Sequence, residues 1–130
     1  MNRYKQREQA LLLIFESQFS DDGKDELCNI FEENIEELGE YSKELFFGVY
    51  DNADILDEKI KAYSKGWRLS RIPKINIALL RLAIYESLFV DSVPTSIAIN
   101  EAVELAKKYS GDEDASFING ILGSVVRGNE

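Results

Sequence analysis

The sequence contains no histidine. That removes the usual general base at neutral pH, a common metal ligand, and any Ser–His–Asp or Cys–His site. The single cysteine, Cys28, has no partner for an internal disulfide, so a reducing compartment is permitted. Cys28 falls near an apolar helical stripe and reads as a small core filler. With two prolines and eight glycines in 130 residues, little interrupts long helices. No apolar run approaches the roughly 20 residues that span a bilayer. The N-terminus carries charges but no secretory apolar segment with a small-residue cleavage site, so a cytoplasmic location is expected. A Gly-rich phosphate loop is also missing, because Gly120 and Gly123 lie within a helical pattern. Glu32-Glu33 and Glu36-Glu37 fall on a solvated helix face, with no partner groups for acid–base work. The expectation is a protein without catalysis, metal or cofactor.

What remains is apolar, acidic and helical in pattern. Apolar residues make up 45% of the chain, enough for one domain with its own core. The net charge of −9 is unevenly spread. Residues 21–58 hold fourteen acidic side chains and two basic ones. Residues 59–85 hold Lys59, Lys61, Lys65, Arg68, Arg71, Lys74 and Arg81 with no acid, and the first seven residues add Arg3, Lys5 and Arg7. At a Debye length of about 8 Å, local sign outweighs the total, so a bipolar surface is expected.

Taken in order, residues 3–18 read as a helix with Tyr4, Leu11 and Phe15 on one stripe. Arg3 and Arg7 are four apart and share the neighbouring stripe. A cationic helix start opposes the macrodipole, so these cations either meet an external anion or are ordinary charges on a solvated terminus. A second helix is expected over 25–38 and a long third over 41–65, closed by Gly66. Together these three suffice for a helical subdomain, about 1–66. Trp67 to Ile72 is a connector, and Pro73 stands where the next helix starts. Residues 75–89 are apolar on nearly every side, the mark of a central helix. Arg81 is its one mid-helix cation; Glu86 and Glu101 are candidate partners, with direct ligand contact as the alternative. From Pro94, Ala98, Ile99, Ala102, Leu105, Ala106 and Tyr109 recur at helical steps, and Gly111 fits a left-handed cap. Glu104 and Lys108 make a favourable i,i+4 pair. After a polar turn, Ile118, Ile121, Leu122 and Val125 form the last stripe, and residues from Arg127 onward are expected to fray. The fold class is therefore all-α, with about six to seven helices in two packed subdomains, the second spanning about 67–130.

Two features exceed a plain helical bundle. One is the segregated positive charge, which can neutralise phosphates. The other is aromatic residues near turns and helix ends: Tyr4, Trp67 and Phe117. Single-stranded RNA is typically read by stacking combined with basic contacts. Phe117 lies at the edge of its stripe and is either core or a ring presented to a base.

Several runs resemble the NusB transcription antitermination family. They are Arg7-Glu8 with Ala10, Leu11 and Phe15; Leu80-Arg81-Leu82-Ala83-Ile84-Tyr85-Glu86; and, within Val93–Gly123, Pro94, Ile99-Asn100-Glu101-Ala102, Leu105-Ala106-Lys107 and Phe117-Ile118-Asn119-Gly120-Ile121-Leu122. Residues 20–60 match only in apolar pattern. The resemblance implies an all-α adaptor that binds boxA RNA of ribosomal RNA leader transcripts as a heterodimer with NusE, a small-subunit ribosomal protein. That pair helps RNA polymerase run through terminators, and some members form homodimers that mask the RNA face. Carried over by position, Arg3, Lys5 and Arg7 fall at basic RNA-contacting positions, Asn76 and Arg81 on the central helix near that face, and Phe117 on the final hairpin. Tyr4 and Gln6 interrupt what is often a denser arginine run, and Asn76 replaces a commoner acid, so weak RNA binding alone and tighter binding with NusE are expected. Two other jobs fit the same fold: an adaptor in ribosomal RNA modification, or a protein–protein scaffold without RNA.

Overall fold

A computed structural model describes residues 1–128. Among them lie seven α-helices: α1 Arg3–Ser17, α2 Lys24–Asn34, α3 Glu40–Asp51, α4 Ala53–Tyr63, α5 Lys74–Phe89, α6 Thr95–Tyr109 and α7 Asp112–Gly128. A single 3₁₀ turn, Leu69–Arg71, interrupts the α4–α5 connector. The all-α expectation is met. Arg127 and Gly128, expected to fray, continue α7, while residues 129 and 130 lie outside the described residues.

α5 packs on α1, α3, α4, α6 and α7, which is why it is apolar all round. Leu79, Leu80, Ala83 and Ile84 within it are essentially inaccessible. The buried apolar side chains form one core that runs from Leu11 on α1 to Val125 on α7. The expected parts, 1–66 and 67–130, share this core. Pro73 and Pro94 each immediately precede a helix, and their carbonyls accept from Ile77 and Ala98. Gly66 and Gly111 hold positive φ angles of +88° and +100°, the left-handed backbone that ends a helix.

Three expectations are corrected. The long helix over 41–65 is two helices. Its apolar stripe runs straight through Asn52, but the Asn52 amide side chain donates to the Gly48 carbonyl at 2.7 Å and its backbone leaves helical geometry. The break lets α4 turn away from α3 and pack on α5 and α7. The second helix stops at Asn34 rather than 38. Beyond it, Gln6 and Gln9 of α1 accept from the Tyr41 and Gly39 amides, and Glu32 accepts from Leu38, so side chains from elsewhere satisfy this backbone. Lastly, Glu104 pairs with Lys107 at 3.3 Å rather than with Lys108, which turns to Glu8 on α1.

Candidate nucleic-acid interface

The first turn of α1 presents the N-terminal cations. Asn2 caps the helix by accepting from the Lys5 amide at 2.8 Å. Arg3 is exposed, makes no ion pair among the described residues, and lays its guanidinium 3.6 Å above the Tyr41 ring. Lys5 reaches Glu36 at 3.3 Å and Glu8 at 3.7 Å and stays half-exposed. Arg7 does something else. It is only 6% exposed, and its Nε lies 2.8 and 2.9 Å from the two oxygens of the buried Glu86 carboxylate on α5. The Tyr41 hydroxyl donates to the same carboxylate. Burial disfavours the Arg7 charge, but the bond to Glu86 and its negative charge outweigh that and raise the guanidinium above its ordinary value. Arg7 is thus a buried tie between α1 and α5, one helical turn from the exposed Arg3.

Arg81 is also turned inward. Its Nε and Nη2 each lie 2.8 Å from an oxygen of Asp57 on α4, a bidentate pair. The expected partners, Glu86 and Glu101, are not used: Glu86 is held by Arg7. Asp57 is not legible from the sequence as this partner, because the break at Asn52 sets the direction in which α4 carries it.

From Lys5 a chain of polar contacts leads across the molecule. Glu8 joins Lys5 to Lys108 and Tyr109 at the end of α6, with the Tyr109 hydroxyl donating at 2.8 Å. Burial and the bond to Glu8 push the Tyr109 hydroxyl up to about 12. The next residue, Ser110, donates to the Asn76 side-chain oxygen at 2.7 Å. Asn76 is almost fully buried and fixes the end of α6 against the start of α5. It lines a concavity of about 520 Å³ together with Trp67, Arg71, Pro73, Phe117 and the acids Glu113 and Asp114. Phe117 is half-buried, its ring centroid 6.3 Å from that of Trp67 in an edge-to-face arrangement.

The structure therefore places Arg3 and Lys5 at one end of a strip and Asn76 and Phe117 at the other, with Lys108 and Tyr109 between. Arg7 and Arg81 stand off the strip and point at carboxylates. Lys108, Tyr109 and Tyr41 were missed by sequence reasoning, since no periodicity links residue 8 to residue 108 or residue 3 to residue 41. The strip combines exposed cations with aromatic rings, the chemistry that suits a single strand's phosphates and bases.

The NusB family model matches residues 4–127 of this chain. The transcription antitermination protein NusB of Acetivibrio thermocellus is 48% identical over 130 residues, covering 98% of this chain and 90% of that protein. Among solved structures, T. maritima NusB superposes with a TM-score of 0.84 at 29% identity, covering 98% of this chain and 92% of that one. A chain from a crystal structure of the antitermination factors NusB and NusE in complex with double-stranded RNA superposes with a TM-score of 0.84. It covers 98% of this chain and 99% of that one at 24% identity, a likeness of fold alone.

Proposed function

This chain belongs to the NusB family, and on that premise we propose that it is a transcription antitermination factor. In this reading it is a non-catalytic adaptor that, with NusE, binds boxA-type RNA of ribosomal RNA leader transcripts. The complex then joins RNA polymerase and carries it past terminators. The observation that supports this best is the strip from Arg3 to Phe117, where unpaired or half-exposed cations lead to an aromatic-lined concavity. Arg3 and Lys5 take phosphates, and Phe117 offers a ring to a base. Asn76 keeps the concavity in shape through Ser110. Arg7 and Arg81 act as positioning residues: Arg7 and Tyr41 share Glu86, so Arg7 helps hold the ring beneath Arg3. A second copy of the chain seated over the strip would mask it, so a homodimer and bound RNA would exclude one another.

The test is an anisotropy titration of labelled boxA-type RNA against the protein with NusE, over a range of salt. Arg3→Ala with Lys5→Ala is expected to weaken binding about tenfold and to reduce the salt slope by about 1 to 2, as loss of two phosphate contacts requires. Arg3 is exposed and Lys5 half-exposed, so thermal stability should fall by no more than about 1 kcal/mol for the lost Lys5 pairs. Arg7→Ala should instead cost about 3–5 kcal/mol of stability, because it leaves the Glu86 charge buried without its partner. Unchanged RNA affinity and salt slope in the Arg3/Lys5 double variant would overturn the assignment.

A further inference from the structure

The connector between α4 and α5 carries a concentration of free charge, of which only Arg71 also borders the Phe117 concavity. Among the described residues, Lys65, Arg68, Arg71 and Lys74 make no ion pair. This is unusual in a chain with 24 acidic and 15 basic side chains, where most other cations find a carboxylate. Set among them is Trp67, the only tryptophan, 56% exposed. An exposed indole that borders the same hollow as three cationic side chains offers a stacking face beside partners for phosphate.

The surroundings of Trp67 indicate the direction of approach. On one side lies the concavity it shares with Asn76 and Phe117. On the other lies a second, of about 440 Å³, formed by Lys65, Gly66, Trp67, Arg68 and Arg71. Trp67 and Arg71 border both, so a strand leaving Phe117 over the indole moves away from Glu113 and Asp114, which line only the first concavity, into a hollow with cationic side chains and no acid in its lining. The indole is held in place. The Ser64 hydroxyl donates to the Trp67 carbonyl at 2.8 Å, the Trp67 amide donates back to Ser64 at 3.2 Å, and Phe117 packs edge-on against the ring. Lys65 keeps a left-handed backbone, φ +53°, which the chain tolerates at a non-glycine residue to make this turn.

We propose that the Trp67 connector is an additional single-stranded RNA subsite, in which a base flanking the boxA-type element stacks on Trp67 while Lys65, Arg68 and Arg71 take the adjoining phosphates. The subsite rests on the RNA-adaptor reading above and lengthens its footprint. It supplies affinity with little sequence preference, because every base has a face to stack and every nucleotide a phosphate.

The single tryptophan makes the subsite directly observable. The protein, with NusE, is titrated with a boxA-type RNA just long enough for the Arg3–Phe117 strip, and with the same RNA extended by a few adenosines at its 5′ or 3′ end. Extension at one end should quench the tryptophan emission and tighten binding about tenfold. Trp67→Ala should abolish that gain, while Trp67→Phe should keep part of it. Lys65→Glu with Arg68→Glu, two surface changes that leave the indole in place, should also remove the gain. If the short RNA binds but neither extension adds affinity or quenching, the subsite is overturned and the adaptor reading stands. If the short RNA fails to bind at all, both fall. Quenching by NusE alone, with no further response to extended RNA, would assign the connector to a protein contact and overturn the subsite as well.

Discussion

Glu8 shows how one side chain can organise a surface it hardly reaches. It is 6% exposed, yet it joins Lys5 and Lys108, two cations of the strip, and accepts from Tyr109. Burial alone would raise its carboxyl pKa, but the bonds to Lys108 and Tyr109 prevail and hold it below the ordinary 4.5. A carboxylate depressed in the folded state contributes stability above its unfolded pKa and loses it as pH falls through the folded value. Glu8→Gln should therefore lower the unfolding midpoint at neutral pH and flatten its decline on acidification below about pH 4.5. Thermal melts of the parent and variant across that range check this. Two curves falling in parallel would mean that the Glu8 contacts contribute nothing on folding. The same variant releases Lys108, so RNA affinity should change in step with the loss of its anchor.

Helices approach one another closely where a side chain is missing. Gly48 on α3 faces the ring of Tyr85 on α5, and a Cβ there would overlap the phenol. Tyr85 has little freedom to withdraw, because its ring stacks on Phe89 with centroids 5.3 Å apart. Gly48→Ala should accordingly destabilise the protein by about 1–3 kcal/mol, the usual cost of overpacking. Denaturant unfolding measures it, and a midpoint equal to the parent's would show that the ring swings aside freely. Pairing Gly48→Ala with Tyr85→Phe should recover little of the loss, because the ring carbons that the Cβ would meet remain. The apolar stripes made nearly every helix legible from the chain alone, including the central position of α5. What escaped was decided by contacts between distant segments. The stripe through Val49, Ala53 and Leu56 conceals the break at Asn52 because the helices on both sides keep their apolar phase. The cations show the same limit. Charge segregation singles out Arg3, Lys5 and Arg7 alike, but nothing local distinguishes the exposed Arg3 from Lys5, which pairs with Glu8 and Glu36, from Arg7, which finds Glu86 seventy-nine positions away, or from Arg81, which finds Asp57.

The molecule as one body carries two unlike faces, and the adaptor reading needs both. If RNA takes the strip from Arg3 to Phe117, as proposed, NusE requires a separate surface. The groove between α1 and α2 has the right character. Phe19 and Ile35 are 60% and 63% exposed, Ile30 is partly exposed, and Phe15 supports Phe19 with ring centroids 5.1 Å apart. A hollow of about 420 Å³ lies between these helices, with Leu12, Phe15, Ile30 and Ile35 in its lining and Glu16 and Asp22 beside them. An apolar groove with acidic neighbours favours a partner with apolar anchors and positive charge. On the adaptor reading, a ribosomal protein that meets RNA phosphates with positive charge would suit that groove, which makes it the face to test for NusE. Phe19→Asp with Ile35→Asp should leave the fold intact, since both side chains are already in solvent, and should weaken NusE binding at least tenfold by calorimetric titration. RNA binding by the chain without NusE should be unchanged, and the added affinity that NusE brings should disappear. Full NusE affinity in the double variant would move the partner to another face and break the proposed division between an RNA side and a protein side.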